Sequence, residues 1–303
     1  MAVLGVMIEG QEGLTWERWR HLCRTVEDHG FDSLWRSDHF YSVMGEGNRP
    51  NIETWISLAL AAEWTQRITF GVLVSPMTFR HPASLARMAT SVDTLSGGRL
   101  VLGVGAGWYE NEHNEFHIPF PPTRQRLDAL AEGIRVIREV WAASEPKPAN
   151  GATVPLLVGG SGERRTLLTV AQEADEWNMY TSNPEDYAAK VAALEGHCRS
   201  IGRDPGSIRR SMMFSYIIGR NTGELLDRAE ELRAVNPRYR DMMPAQILEA
   251  ARGRSLVGTP EEIAAQLQPY IRLGATRFML QHFLMEDDAA LDLLITGVAP
   301  RIA

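Results

Sequence analysis

The chain has 303 residues, a formal net charge of −7, 44% hydrophobic and 23% charged residues. A modestly acidic chain of ordinary composition has no sequence-wide field favouring nucleic acid or an anionic membrane, and no apolar run reaches the roughly 18 residues of a membrane span. Its two cysteines, Cys23 and Cys198, sit in separate helical patterns without a Cys-x-x-Cys, so buried reduced thiols are expected rather than a disulfide or a redox pair.

Met1–Glu9 is apolar but lacks a basic leader region, so it reads as a first strand, Val3–Glu9, in a cytoplasmic protein. Trp16, Trp19, Leu22, Cys23 and Val26 follow helical spacing, Gly30 ends that helix, and Phe31–Trp35 is a second strand. Ile52–Trp64 is helical and Ile68–Val74 is a third strand. The helix face Leu85, Met88, Ala89, Val92 and Leu95 precedes a fourth strand, Arg99–Gly103. Leu127, Leu130, Ile134, Ile137 and Trp141 form another helix face. Glu145–Gly151 is a loop, not a domain linker.

Val154–Val158 is the fifth strand, Glu163–Gln172 a helix and Glu176–Tyr180 the sixth strand. Asn183-Pro184 and Thr259-Pro260-Glu261-Glu262 are helix starts, the second a capping box. Ile208–Ile218 and Arg277–His282 complete the set. Between them Asn221–Arg254 is longer than one crossover helix and reads as a helical excursion over the mouth of a barrel. Eight alternating units spread over residues 1–303 as one domain fit a (β/α)8 barrel; a doubly wound open sheet shares the local pattern.

In a barrel, chemistry sits at the C-terminal ends of strands. Asp38-His39 ends the second strand, as a structural cap or as a proton-handling pair. Leu73-Val74-Ser75-Pro76 is either core or an apolar shelf behind a planar ligand. Gly103-Val-Gly105-Ala-Gly107-Trp108 allows close backbone approach but lacks the spacing and acidic partner of a dinucleotide fingerprint. His113 and His117 could share a helical face, yet without His-Glu-x-x-His no metal is expected. Gly159-Gly160-Ser161-Gly162 and Tyr180-Thr181-Ser182-Asn183 each open a helix, and two such turns side by side can clamp a phosphate. No Gly-x-Ser-x-Gly occurs.

Together Ser37-Asp38-His39-Phe40, Val74–Pro82, Leu95–Trp108 and Val158–Gly162 resemble the luciferase-like monooxygenase superfamily, most closely its deazaflavin-dependent branch. The resemblance implies a barrel with a flavin-like ring in its mouth and hydride transfer between coenzyme F420 and a small-molecule substrate. The ring would rest on a bulge at Leu73–Val74, often a non-prolyl cis peptide. Asp38 and His39 would lie near its polar edge, with His39 handling protons. Gly105, Ala106, Gly107 and Asn111 would line it, and Gly160, Ser161, Gly162, Thr181 and Ser182 would hold its phosphate. A homodimer is implied.

Two alternatives stand beside this: an FMN-dependent two-component monooxygenase fed by a partner reductase, and a non-catalytic flavin-binding barrel. Trp108 and Val43 stand where the sugar-phosphate dehydrogenases of the branch carry a glutamate and a tryptophan. Cys23, mid-helix, does not fit the reactive cysteine of alkanesulfonate-type enzymes. Asn221–Arg254 matches no motif and is expected to carry substrate choice. Trp108, Tyr109, Phe116, Met242 and Met243 are apolar candidates for the mouth, with Arg80 and Arg240 as anion anchors.

Overall fold

The β-branched and apolar runs read above become strands covered on both faces, as the near-continuous burial of each requires. The structure, a computed structural model, describes residues 1–45, 49–143 and 145–303. In chain order the strands are β1 (Val3–Ile8), β2 (Ser33–Arg36), β3 (Thr69–Val72), β4 (Ser75–Pro76), β5 (Leu100–Gly105), β6 (Leu156–Gly159), β7 (Glu176–Met179), β8 (Arg209–Ile218), β9 (Leu256–Gly258) and β10 (Arg277–Gln281). The parallel order β10-β1-β2-β3-β5-β6-β7-β8 closes through pairing of β8 with β10, giving the eight-stranded barrel. Helices α1 (Trp16–Asp28), α2 (Thr54–Trp64), α3 (Pro82–Ser96), α4 (Glu110–Glu115), α5 (Thr123–Ala143), α6 (Thr166–Glu173) and α7 (Pro184–Ser200) follow in the crossovers.

The third strand differs from the single run expected. Gly71 pairs with Val101 and Ser75 with Val104, so four steps on one strand face three on its neighbour. The extra residue makes a bulge between β3 and β4, and the Leu73–Val74 peptide within it is cis.

The segment after β8 is helical as expected: α8 (Thr222–Val235), a short turn at Pro237–Tyr239 and α9 (Pro244–Ala251). It is more built than an excursion. Ile217, Leu225, Leu232, Ile247, Leu248 and Val257 form an apolar cluster of their own. Beyond it β9 pairs with Tyr216–Ile218, carrying β8 past the barrel. β9 escapes notice in the sequence because three residues carry no periodicity.

Helix α10 (Pro260–Arg272) starts on the expected Thr259–Glu262 capping box, and Gly30 and Gly274 follow helices at φ 82° and 89°, where a Cβ is disfavoured. Met7, Trp35, Leu73, Val101, Leu157 and Met279 fill the barrel interior. Cys23 and Cys198 are buried free thiols, and burial pushes the Cys23 thiol well up, so neither is poised for redox chemistry. Among the described residues no helix is long and apolar enough to cross a membrane.

Candidate active site

A cavity of about 530 Å³ opens at the C-terminal ends of the strands. One side is the bulge. The Val74 side chain lies over Gly105 and Gly159: a Cβ built on Gly105 would come within 2.6 Å of Val74 Cγ2, and one on Gly159 within 3.0 Å of Cγ1. Glycine is needed here by space, not by backbone angle. At Gly107 and Gly160 the angle decides, since φ is 78° and 129°. The result is a smooth apolar shelf of Leu73 and Val74 with the Gly105–Trp108 loop beside it.

His39 lines the cavity. Its Nδ1 lies 2.8 Å from Glu112 Oε1, and Glu112 Oε2 accepts from the Phe40 N–H at 3.1 Å. Glu112 is 1% exposed. Burial alone would depress the imidazole pKa, but the hydrogen bond and charge of Glu112, helped by Glu9 and Asp38, outweigh it and raise the value above the ordinary one. With Nδ1 committed to the carboxylate, Nε2 is the nitrogen left to a ligand.

The predicted residues are only partly brought together. His39, Leu73, Val74, Gly105, Ala106, Gly107, Gly160 and Ser161 line the cavity. Asp38 is 1% exposed and turned to other partners: its carboxylate accepts from Ser75 Oγ at 2.6 Å and from Arg80 at 2.5 and 3.1 Å. Arg80, considered above as an anion anchor, is therefore held by Asp38 and Glu53. Asn111 is exposed on α4, whose buried face presents Glu112 instead. Gly162 and Ser182 are exposed outside the cavity lining, and the Thr181 hydroxyl accepts from the Asn183 N–H within its own turn. Thr166, at the start of α6, lines the cavity in their place.

His113 and His117 do not share a helical face. α4 ends at Glu115, His117 has φ 54°, and His113 is buried against Thr78 Oγ1 and the Tyr109 carbonyl at 2.8 and 2.7 Å. No metal-binding cluster occurs among the described residues. Trp108 borders the cavity at 65% exposure.

Glu9, Glu112, Asn178, Met213 and Gln281 were missed. Glu9, Asn178 and Gln281 fall at the C-terminal ends of strands that the sequence did reveal, and that position alone was a usable signal. Glu112 lies in a charged run with no apolar face, and nothing local links it to His39.

The family model for luciferase-like monooxygenases matches residues 3–277. An F420-dependent glucose-6-phosphate dehydrogenase of Amycolatopsis mediterranei (strain U-32) is 38% identical over 285 residues, covering 82% of this chain and 83% of the relative. An F420-dependent hydroxymycolic acid dehydrogenase of Mycobacterium tuberculosis (strain ATCC 25618 / H37Rv) is 27% identical over 305 residues, covering 92% and 83%. Among solved structures, an F420-dependent secondary alcohol dehydrogenase in complex with an F420–acetone adduct superposes with a TM-score of 0.82 at 18% identity, over 100% of this chain and 99% of that one. A bulged third strand, a glycine-lined shelf and a family match spanning nearly the whole barrel lead to one conclusion: the chain belongs to the luciferase-like monooxygenase family.

Proposed function

We propose that this oxidoreductase exchanges a hydride between coenzyme F420 and a small organic substrate. The observation that carries the reading is the shelf: Val74 packed over two glycines leaves a flat apolar surface with a polar rim, a shape suited to a planar ring. The relatives named as F420-dependent dehydrogenases support the deazaflavin over FMN.

F420 supplies the hydride chemistry when bound. Leu73, Val74, Gly105, Ala106 and Gly107 seat the ring, and Gly160 and Ser161 offer turn amides to the phosphate. His39 holds a proton at Nε2 for the substrate, and Glu112 fixes the imidazole through Nδ1. Asp38 does not touch the ligand; it ties Ser75, on the far side of the bulge, to Arg80. The apolar lining excludes water from the reacting face.

Titration of the purified protein with oxidised F420 and, separately, with FMN, followed by tryptophan fluorescence, tests the reading. Micromolar F420 binding with weaker FMN binding is expected. Tight FMN binding with none of F420 would turn the site into that of an oxygen-using monooxygenase supplied by a reductase. Binding of neither would leave a barrel without this function. In a protein that binds F420, His39→Ala is expected to lower turnover about 10²–10⁴-fold.

A further inference from the structure

The cavity has two unlike sides. Opposite the shelf, strands β7, β8, β10 and β1 are neighbours in the barrel and contribute Asn178, Met213, Gln281 and Glu9. Asn178 is 5% exposed. Its Nδ2 lies 3.0 Å from Ser211 Oγ and 3.4 Å from Met279 Sδ, both inside the barrel. The two ends of an amide have the same shape, so its orientation must come from its partners. Ser211 Oγ donates to the Trp177 carbonyl at 3.3 Å, which leaves it to accept from Asn178, and only the amide nitrogen can donate. Asn178 Oδ1 is thus the end turned to the cavity.

Gln281 repeats the pattern. Its Nε2 donates to Glu9 Oε1 at 2.6 Å; a carboxylate only accepts, so Gln281 Oε1 is the free end. Glu9 Oε2 accepts from Gln11 Nε2 at 2.9 Å, and the carboxylate retains further lone pairs. Three side chains on one wall therefore present oxygen acceptors. The only side-chain charge among them is negative.

We infer that this wall selects a ligand by its hydrogen-bond donors: the molecule against it presents O–H or N–H groups, neutral or cationic, and no carboxylate or phosphate. A donor pairs with acceptor lone pairs that no protein group fills, whereas an anion at this wall meets only like charge and carbonyl dipoles. The inference rests on the function proposed above only for what occupies the shelf. The donors belong either to a hydroxylated or amino substrate or to a ring N–H of the cofactor.

Three probes of nearly equal size decide it: 2-amino-1,3-propanediol, glycerol and glycerate, which are cationic, neutral and anionic. Their binding to the full-length protein is measured by ligand-observed NMR with and without F420, alongside F420 affinity by fluorescence. The first two are expected to bind at least about tenfold more tightly than glycerate. If Asn178→Leu and Gln281→Leu flatten that order and leave F420 affinity intact, the donors are the substrate's. If they weaken F420 about tenfold and leave the order intact, the donors are the ring's. Ser211→Ala, which frees the Asn178 amide to turn without changing the wall's shape, gives a partial form of whichever effect is found and covers a failure of either leucine variant to fold. Glycerate binding as well as the other probes, with F420 affinity unchanged in the variants, overturns the inference. Failure of the wild type to bind F420 or FMN while the probe order holds overturns the proposed cofactor and not the wall.

Discussion

Acid should destabilise this protein through His282, and the burial of that side chain beside Tyr216 sets the size of the effect. The Tyr216 hydroxyl and His282 Nδ1 share a hydrogen bond at 2.6 Å, both side chains are buried, and Nε2 has no partner. Burial is the main cause that lowers the imidazole pKa from 6.5 to about 4. The unfolded chain therefore takes up a proton that the folded chain refuses. Stability from this group is complete above pH 6.5 and is lost as the pH falls towards 4. At about 1.4 kcal/mol per unit, the loss is about 2 kcal/mol at pH 5 and about 3 kcal/mol once the folded imidazole itself titrates. Urea unfolding at pH 7, 6 and 5 measures it. The control is the double variant Tyr216→Phe/His282→Phe, which replaces both partners by apolar groups and strands neither. Every other titrating group is common to the two proteins, so the difference in slope isolates the pair. Equal slopes between pH 7 and pH 5 would refute the argument.

Further outcomes follow from geometry already described. Glu112→Gln removes the charge opposite His39 and places an amide N–H against either the imidazole or the Phe40 N–H; His39 should titrate at lower pH by NMR, and the pH profile of turnover should move with it. Gly105→Ala sets a methyl 2.6 Å from Val74 Cγ2 and should weaken F420 binding at least about tenfold, read by fluorescence, with unfolding shifted by only about 1–3 kcal/mol. Glu27, whose carboxylate accepts from the backbone N–H groups of Gln66, Arg67 and Ile68, ties α1 to the start of β3; Glu27→Gln should cost about 1.5–3 kcal/mol in urea unfolding.

Strand positions and the helix caps were legible because they depend on short-range pattern. Val3–Glu9, Glu176–Tyr180 and Arg277–His282 were placed within a residue of their observed ends. The shelf was legible only through resemblance, since Leu73 and Val74 look like core to any local reading. Side-chain direction was the part not written locally. Asp38 and His39 are adjacent, yet one faces Arg80 and the other the cavity, because successive residues at a strand end alternate sides. Glu112 reaches His39 across 73 positions of chain, and no spacing rule spans that distance. The acceptor wall needed both the closure of the barrel, which makes β10 and β1 neighbours, and the direction of each amide.

The seat of Val74 between Gly105 and Gly159 has a consequence for how such sequences drift. Each glycine is required only while Val74 keeps its place, and Val74 keeps it only while neither glycine acquires a Cβ. The three positions are expected to change in concert: an alanine at 105 becomes acceptable first in lineages where 74 has shrunk, and the order of steps is not interchangeable. Gene shuffling that separates β3–β4 from β5–β6 should then yield clashing hybrids even when each parent is sound.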